Sequence, residues 1–461
     1  MNHHNKFLNY RQQFPVFTFE DIIIDYRPDS INITYIFNLS DVYWFRPTLE
    51  ISRRSFFRYN YSPENDPGFH YLVFQIGMVE LISYWKAACP PKVIIKPYHL
   101  SEKTVKWWKK LYYHGLGEFF HINEIEVSLE EMLQLESHDT EPPKINIPEF
   151  KEGYLVPVGG GKDSAVTLDI LSKHFRVIPF MLNPRNAMRG TVQQAGFEVG
   201  SSFILSRNLD PSLLELNDRG FLNGHTPFSA LLAFQTLLAA YITGYRNIAL
   251  SNEASSNEST IPGTDINHQY SKTIEFEKDF RDYVSEHLLL PINYFSFLRP
   301  LYELQIARLF SKRRKYFTVF KSCNTGSKTD TWCCNCSKCL FAYTILYPFL
   351  DHYTLMEIFG TDLFENENHW EALLQLSGLA EEKPFECIGT IVEVNVALQL
   401  AVRKNAGKTL PLILRSFTET PAYQIFSTTN PEILFNSWNH DHNLPELLVK
   451  ILQDEWINCI S

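Results

Sequence analysis

Gly159-Gly160-Gly161-Lys162-Asp163-Ser164 follows directly on the apolar run Tyr154-Leu155-Val156-Pro157-Val158 and leads into Ser164-Ala165-Val166-Thr167-Leu168-Asp169-Ile170-Leu171. The first run reads as a buried strand and the last as a helix. A glycine-rich turn between a strand and a helix N-terminus is a place to hold phosphate. Its backbone N–H groups are free, its glycines allow close approach, and the helix dipole favours an anion. Two common nucleotide loops are excluded by single residues. The kinase-type P-loop requires glycine where Val156 stands and Ser or Thr where Asp163 stands. The dinucleotide pattern requires a small, glycine-like residue at Ser164.

The stretch after residue 150 alternates between strand and helix signals. Val177-Ile178-Pro179-Phe180-Met181-Leu182, Ser202-Phe203-Ile204-Leu205 and Asn247-Ile248-Ala249-Leu250 read as further strands. Thr226-Pro227 is expected to cap a helix running to about Thr243, which Gly244 ends. The rhythm implies an α/β fold with a doubly wound parallel sheet. Ligands bind such sheets at the carboxyl ends of the strands. Those ends carry Gly159 to Ser164, Asn183, Ser206 and Ser251-Asn252-Glu253.

Before this stretch, the chain mixes strands and helices. Ser30 to Leu39 alternates as a half-buried strand, Phe69 to Trp85 reads as a helix, Val93 to Lys96 as a short strand, and Thr104 to Tyr113 as a helix. Ser137-His138-Asp139-Thr140-Glu141-Pro142-Pro143 is a polar linker. The expected organisation is an α+β domain over 1–145, a nucleotide domain over 146–345 and a mainly helical region over 346–461.

The 461 residues carry a net charge of -10. That argues against nucleic acid as a partner, which would need a basic footprint. The apolar stretch Ala230 to Ile242 is interrupted by Gln235 and Thr236 and is too short to span a bilayer. No apolar core follows Met1-Asn2-His3-His4-Asn5-Lys6, so a cytoplasmic location is expected. Five of the eight cysteines lie between 323 and 339, which in a reducing compartment points to metal. Cys323, Cys333, Cys336 and Cys339 have the spacing of a tetrathiolate site suited to structural zinc. An iron–sulfur cluster is the alternative, and Cys334 could stand in for Cys333.

Other polar segments fall where a ligand would lie. Asn223-Gly224-His225-Thr226-Pro227 enters a buried helix, with Thr226 read as its cap and His225 as a group that could face the site. Ser251-Asn252-Glu253 and Asn267-His268-Gln269-Tyr270-Ser271-Lys272 place many proton-transfer groups beyond one strand end. Arg299 is a candidate clamp for phosphate or carboxylate.

The glycine turn resembles the PP-loop of the ATP pyrophosphatases, written Ser-Gly-Gly-x-Asp-Ser, with Gly159 in place of the first serine. The cysteine arrangement is similar to that of the 7-cyano-7-deazaguanine synthases. Together with Asn223-Gly224-His225-x-Pro227, Phe295-Ser296-x-Leu298-Arg299-Pro300-Leu301, Ser322-Cys323-Asn324 and Lys383-Pro384-Phe385-Glu386-Cys387-Ile388-Gly389, the ordered motifs resemble the MurL family. Those are UDP-N-acetylmuramoyl-L-alanyl-L-glutamate epimerases of peptidoglycan precursor synthesis.

The resemblance implies ATP-dependent inversion of the terminal L-glutamate of UDP-MurNAc-L-Ala-L-Glu through an acyl-adenylate, releasing AMP and pyrophosphate. It implies a functional link to an L-glutamate-adding Mur ligase and a role in cell-wall biogenesis. Gly159, Gly160, Gly161, Lys162, Asp163 and Ser164 would hold the pyrophosphate, with Lys162 countering charge and Asp163 holding Mg²⁺. His268, Glu253, His225 and Asp265, in that order, are candidates for the α-proton base, and Cys387 with Glu386 is a further one. The rival readings are another AMP-forming enzyme, such as a deazaguanine nitrile synthase or an amide-forming ligase, and a nucleotide-binding scaffold without activity.

Overall fold

The computed structural model describes residues 3–55, 61–261, 264, 266–268 and 270–460. Among these, eleven strands form one mixed sheet. They are β1 (Val16–Tyr26), β2 (Ser30–Leu39), β3 (Tyr43–Phe45), β4 (Thr48–Ser52), β5 (Lys92–Ile95), β6 (Gln134–Ser137), β7 (Lys151–Pro157), β8 (Val177–Leu182), β9 (Phe203–Asn208), β10 (Tyr245–Leu250) and β11 (Asn293–Ser296). The order across the sheet is β11-β10-β7-β8-β9-β4-β2-β1-β5-β6, with β3 paired to β2. The five strands β9-β8-β7-β10-β11 run parallel. The chain leaves β7 in one direction along the sheet, then returns to place β10 on the other side of β7. Strand order therefore reverses between β7 and β10, and a crevice at that point is where an open α/β sheet takes its ligand.

The apolar runs of these strands are explained by burial on both faces. Successive residues in a strand point to opposite sides. Leu155, Phe180, Ile248 and Tyr294 pack into one hydrophobic cluster, while Val156, Met181, Ala249 and Phe295 pack into a second cluster. The helices Phe228–Thr243 and Ile274–Glu286 cover the first face. The helices Lys162–His174 and Glu303–Ser311 cover the second. A two-sided parallel sheet needs continuous apolar strands, which is what the sequence supplies.

The parallel block is not a closed sheet of its own. β9 pairs antiparallel with β4, and β4 pairs antiparallel with β2. The strands on either side of the polar linker thus share one sheet, and the edge that β9 would otherwise leave unpaired is covered. β2 shows why this part reads as half-buried. Ile31, Ile33, Tyr35, Phe37 and Leu39 all enter the first cluster, and the intervening Asn32, Thr34 and Ile36 are only partly buried. The Pro67–Trp85 helix lies over this face, started by Pro67 and by Asp66, whose side chain accepts from the Gly68 N–H at 2.8 Å.

One expected cap is replaced. The Phe228–Thr243 helix has Pro227 at its N-cap and no side-chain cap bond; the Thr226 carbonyl, not its hydroxyl, meets the Phe228 N–H. Gly244 ends this helix in the left-handed conformation (φ 71°), where a Cβ is disfavoured. Among the described residues no helix is long and apolar enough to cross a membrane. The region beyond residue 346 is helical and packs on the second face through residues such as Leu398, Phe417 and Leu452.

Candidate functional site

At the reversal point, β7 runs into Gly159, Gly160 and Gly161, and the Lys162–His174 helix begins. Only Gly160 requires glycine for its backbone. Its φ is 84°, and a Cβ there would come within 3.0 Å of the Ala187 Cβ and the Met188 nitrogen. No side chain caps the helix, so its first N–H groups are left for an incoming anion. The Ser164 hydroxyl is turned back onto the Gly161 carbonyl at 3.1 Å.

A cavity of about 560 Å³ opens above this turn. Gly159, Gly161, Asp163, Ser164, Ser251, Asn252 and Glu253 line it from the strand ends. Arg185, Lys272, Lys321 and Lys338 bring positive charge to its wall, and Cys387 is also exposed to it. An acidic protein thus keeps a local basic lining for an anionic ligand. Ser251 is among the lining residues, and its hydroxyl is buried with no hydrogen-bond partner among the described residues. Asn252 is held by the Ser296 hydroxyl at 3.0 Å.

The carboxylates of the site are crowded. Glu253 is buried, and burial followed by the charge of Asp163 raises its carboxyl above the usual range. Glu303 is buried too; burial raises it to about 7, against the pull of Lys162. Lys162 does not line the cavity. It lies beneath the turn, paired with Asp163 and Glu303, and those partners raise it although burial opposes its charge. Its charge therefore orders the acidic pair.

Two other expected ligand groups also face elsewhere. Asn183 ties the end of β8 to β9, donating to the Arg207 carbonyl at 2.9 Å and accepting from the Arg207 N–H at 2.7 Å. Arg299 has no exposure and binds the Glu253 carbonyl (2.8 Å), the Ser256 hydroxyl (2.6 Å), the Lys272 carbonyl (2.5 Å) and Glu277 (3.2 Å). It is a strut under the 253–272 segment instead of a clamp. Arg299→Met should therefore destabilise the fold by about 3–5 kcal/mol, because it leaves Glu277 buried without its partner. Thermal or urea unfolding reads this loss, and unchanged stability would remove the strut role.

A second group of polar side chains adjoins the cavity through Cys387. Lys272 donates to the Cys387 sulfur at 2.8 Å. His268 interacts with the same thiol and places Nδ1 against Glu118. His225 lies beside them, its ring centroid 4.3 Å from that of His268 and its Nδ1 3.8 Å from Glu118. Burial pushes the Cys387 thiol up, but Lys272, His268 and Lys338 outweigh it and bring it down to about 5. Burial works against charge on His268, but Cys387 and Glu118 raise it to about 9. Burial, with the charges of His268, Lys86 and Lys272, lowers His225 to about 3. The three shifts favour a thiolate and an imidazolium beside a neutral imidazole. His268 does not cap the helix that follows, since Thr273 does. Asp265 and Gln269 lie outside the described residues.

Residues far away in the chain complete this group. Glu118 and Lys86 come from the N-terminal third, and Lys86 holds the 223–225 turn by donating to the Gly224 carbonyl and to Asn223 at 3.1 Å. Lys383, bonded to Glu258 and to the Gly389 carbonyl at 3.1 Å, fixes the segment that carries Cys387. Sequence reasoning passed over Glu118, Glu303, Lys321 and Lys338. The last lies inside the Cys336-Ser337-Lys338-Cys339 knuckle, which is the one signal that pointed to it.

The four cysteines form a compact set. Their Sγ atoms all lie within 4.8 Å of one another, with Cys323–Cys336 at 3.9 Å, Cys333–Cys339 at 3.8 Å and Cys336–Cys339 at 3.5 Å. One tetrahedral ion with bonds of about 2.3 Å sets its thiolates about 3.8 Å apart. A multi-iron cluster places them on separate irons and farther apart. Backbone N–H groups of Gly326 (3.1 Å) and Cys333 (3.4 Å) point at the Cys323 sulfur, as suits a thiolate. A Cβ on Gly326 would lie 2.1 Å from the Thr331 carbonyl oxygen, so this loop closes only around glycine. Cys334 turns away and meets the Phe359 carbonyl at 3.2 Å. The loop also braces the glycine turn. The Lys321 N–H donates to the Gly160 carbonyl at 2.9 Å, and Asp330 accepts from the Asn186 N–H at 2.8 Å.

Residues 9–297 match the family described as MurL N-terminal domain, and residues 319–429 match MurL C-terminal domain. Three curated relatives are each named UDP-N-acetyl-alpha-D-muramoyl-L-alanyl-L-glutamate epimerase. The one from a Micromonospora species is 33% identical over 348 residues, covering 73% of this chain and 76% of the relative. The one from Xanthomonas oryzae is 33% identical over 347 residues, covering 72% and 75%. The one from Salinispora tropica is 32% identical over 339 residues, covering 72% and 73%. No solved structure gives a significant match.

Proposed function

The chain belongs to the MurL family, and from that premise we propose that it inverts the terminal L-glutamate of UDP-MurNAc-L-Ala-L-Glu to D-glutamate, with ATP cleaved to AMP and pyrophosphate. The names of the relatives support the epimerisation. The observation that carries the ATP-dependent part is one cavity holding an uncapped helix N-terminus behind glycines, the carboxylates Asp163 and Glu253, and the thiol Cys387.

The physical need for ATP is clear. A carboxylate makes its neighbouring α-proton very weakly acidic, because its removal builds a second negative charge beside the first. Adenylation removes that first charge and gives an electron sink, so an ordinary base suffices. In this reading the sheet is of the PP-loop type. The Gly159–Ser164 turn and helix N-terminus receive the pyrophosphate, and Lys321, Lys338 and Arg185 balance its charge. Asp163 and Glu253 would hold Mg²⁺, whose charge would offset the burial and the neighbouring Asp163 that raise Glu253. The His268–Glu118 pair, with His225 beside it, takes the α-proton. The four cysteines would hold zinc, which would supply a rigid staple for the loop bracing Gly160 and no step of the reaction. The proposal includes a cytoplasmic precursor pathway in which a ligase adds L-glutamate before this enzyme acts. The three-part division at about 145 and 345 is retained as a proposal for how the chain is organised.

The test is incubation of the protein with ATP, Mg²⁺ and the UDP-dipeptide. We expect pyrophosphate release that depends on the dipeptide, with D-glutamate found on chiral analysis of the hydrolysed product. Pyrophosphate release on a deazaguanine acid instead would favour the nitrile synthase, and the absence of release with any substrate would favour the scaffold. For the metal, elemental analysis should give about one zinc per chain. Iron with sulfide would replace zinc, and an empty site would reduce the cysteines to packing.

A further inference from the structure

His268 presents a difficulty as a base, since Cys387 and Glu118 hold a proton on it at neutral pH. The arrangement around it has a different logic. Cys387 lines the cavity that also contains the glycine turn and Asp163. Its sulfur is held by Lys272 at 2.8 Å and by His268, and His268 is oriented by Glu118. A thiol, a base in contact with it and a carboxylate that fixes the base form the arrangement of an activated nucleophile. Other buried cysteines lack it. Cys89 and Cys459 are buried thiols, and burial raises both.

We propose that Cys387 takes the glutamyl group from AMP as a thioester, and that His268 then serves as base at the carbon beside it. The inference rests on the adenylation reading above. The thiolate attacks the carbonyl carbon of the acyl-adenylate; the S–C bond forms, the C–O bond to the phosphate breaks, and the electron pair leaves with AMP. A thioester keeps the α-proton acidic, because sulfur donates little into the carbonyl. Acylation also removes one of the two negative charges beside His268, that of Cys387, and leaves Glu118 to orient the ring. The imidazolium then gives its proton to water, and the neutral ring accepts the α-proton. A water-derived proton returns to the opposite face. Water finally cleaves the C–S bond, which frees the carboxylate and restores the thiolate facing Lys272. No electron is gained or lost by the protein, and no further reagent is needed. The ion pair thus holds the base in reserve until the substrate is attached.

The experiment is an acid quench of the full-length protein turning over ATP, Mg²⁺ and UDP-MurNAc-L-Ala-L-Glu, followed by intact mass measurement. The expected species carries the substrate less one water, disappears with neutral hydroxylamine, and is absent from Cys387→Ala. Epimerisation in that variant should fall by at least about 100-fold, as expected for loss of a covalent or proton-transfer group. Pyrophosphate release by the variant on adding the dipeptide would show that it folds and adenylates. Where the variant does not fold, the hydroxylamine-sensitive species of the wild type decides alone. Inversion without that species overturns the proposal, whether Cys387→Ala is active or not. Absence of dipeptide-dependent pyrophosphate release by the wild type instead sinks the adenylation reading itself.

Discussion

Asp163→Ala should lower dipeptide-dependent pyrophosphate release and epimerisation together, each by about 100–1,000-fold, the range seen when one electrostatic contact at a reacting centre is removed. Asp163 stands in the first turn of the helix that follows the glycines, and its carboxylate reaches the cavity wall. A cation bridging the phosphates needs hard oxygen ligands at that place. Glu253 could keep part of the cation site, so the loss is not expected to be total. The fold should persist, because Lys162 keeps its buried partner Glu303. Pyrophosphate release and chiral analysis measure the effect, and retained zinc with an unchanged melting temperature separates it from misfolding. Pyrophosphate released at near the native rate would mean that the phosphate turn lies elsewhere.

What was legible in the chain was local. The strand, glycine turn and helix are consecutive, and each carries its own pattern, so β7 and the Lys162–His174 helix could be read directly. Ser30–Leu39 was legible because one face is covered and the other is not, which leaves an alternation. The cysteines were legible because metal ligands cluster in sequence. The shared sheet was not, since the pairing of β4 with β9 joins residues about 155 apart and leaves no local trace. The same limit hid Glu118, which meets His268 across 150 residues. Charge alone also misled. Lys162 and Arg299 sit in motifs that suggest phosphate contact, yet each neutralises protein carboxylates, the partly exposed Asp163 and the buried Glu303 for one and the buried Glu277 for the other. A sequence shows that a cation is present but not which anion it meets.

Exchange of the glutamate α-proton with solvent should require ATP and should depend on His268. In D₂O with ATP and the UDP-dipeptide, the wild type is expected to place deuterium at the α-carbon as it inverts it. Without ATP the carboxylate stays charged, the carbanion is inaccessible, and no deuterium should enter. In His268→Gln, uptake should fall by about 100-fold or more, within the range set for a lost general base. Pyrophosphate release should persist, because His268 lies beyond Cys387 from the glycine turn and does not line the cavity. The substitution keeps a polar group against Glu118, which limits the cost of leaving that buried carboxylate alone. Proton release also sets a direction with pH. Burial opposes charge on His268, and Cys387 and Glu118 together hold it up to about 9, so acylation of the thiol removes one of the two groups that keep its proton. The ring is therefore free to act once the thiol is acylated, and exchange should continue well below pH 9. Deuterium uptake without ATP would end the acyl-adenylate mechanism. Unchanged uptake in His268→Gln would move proton removal to the neutral imidazole of His225, the next group within reach.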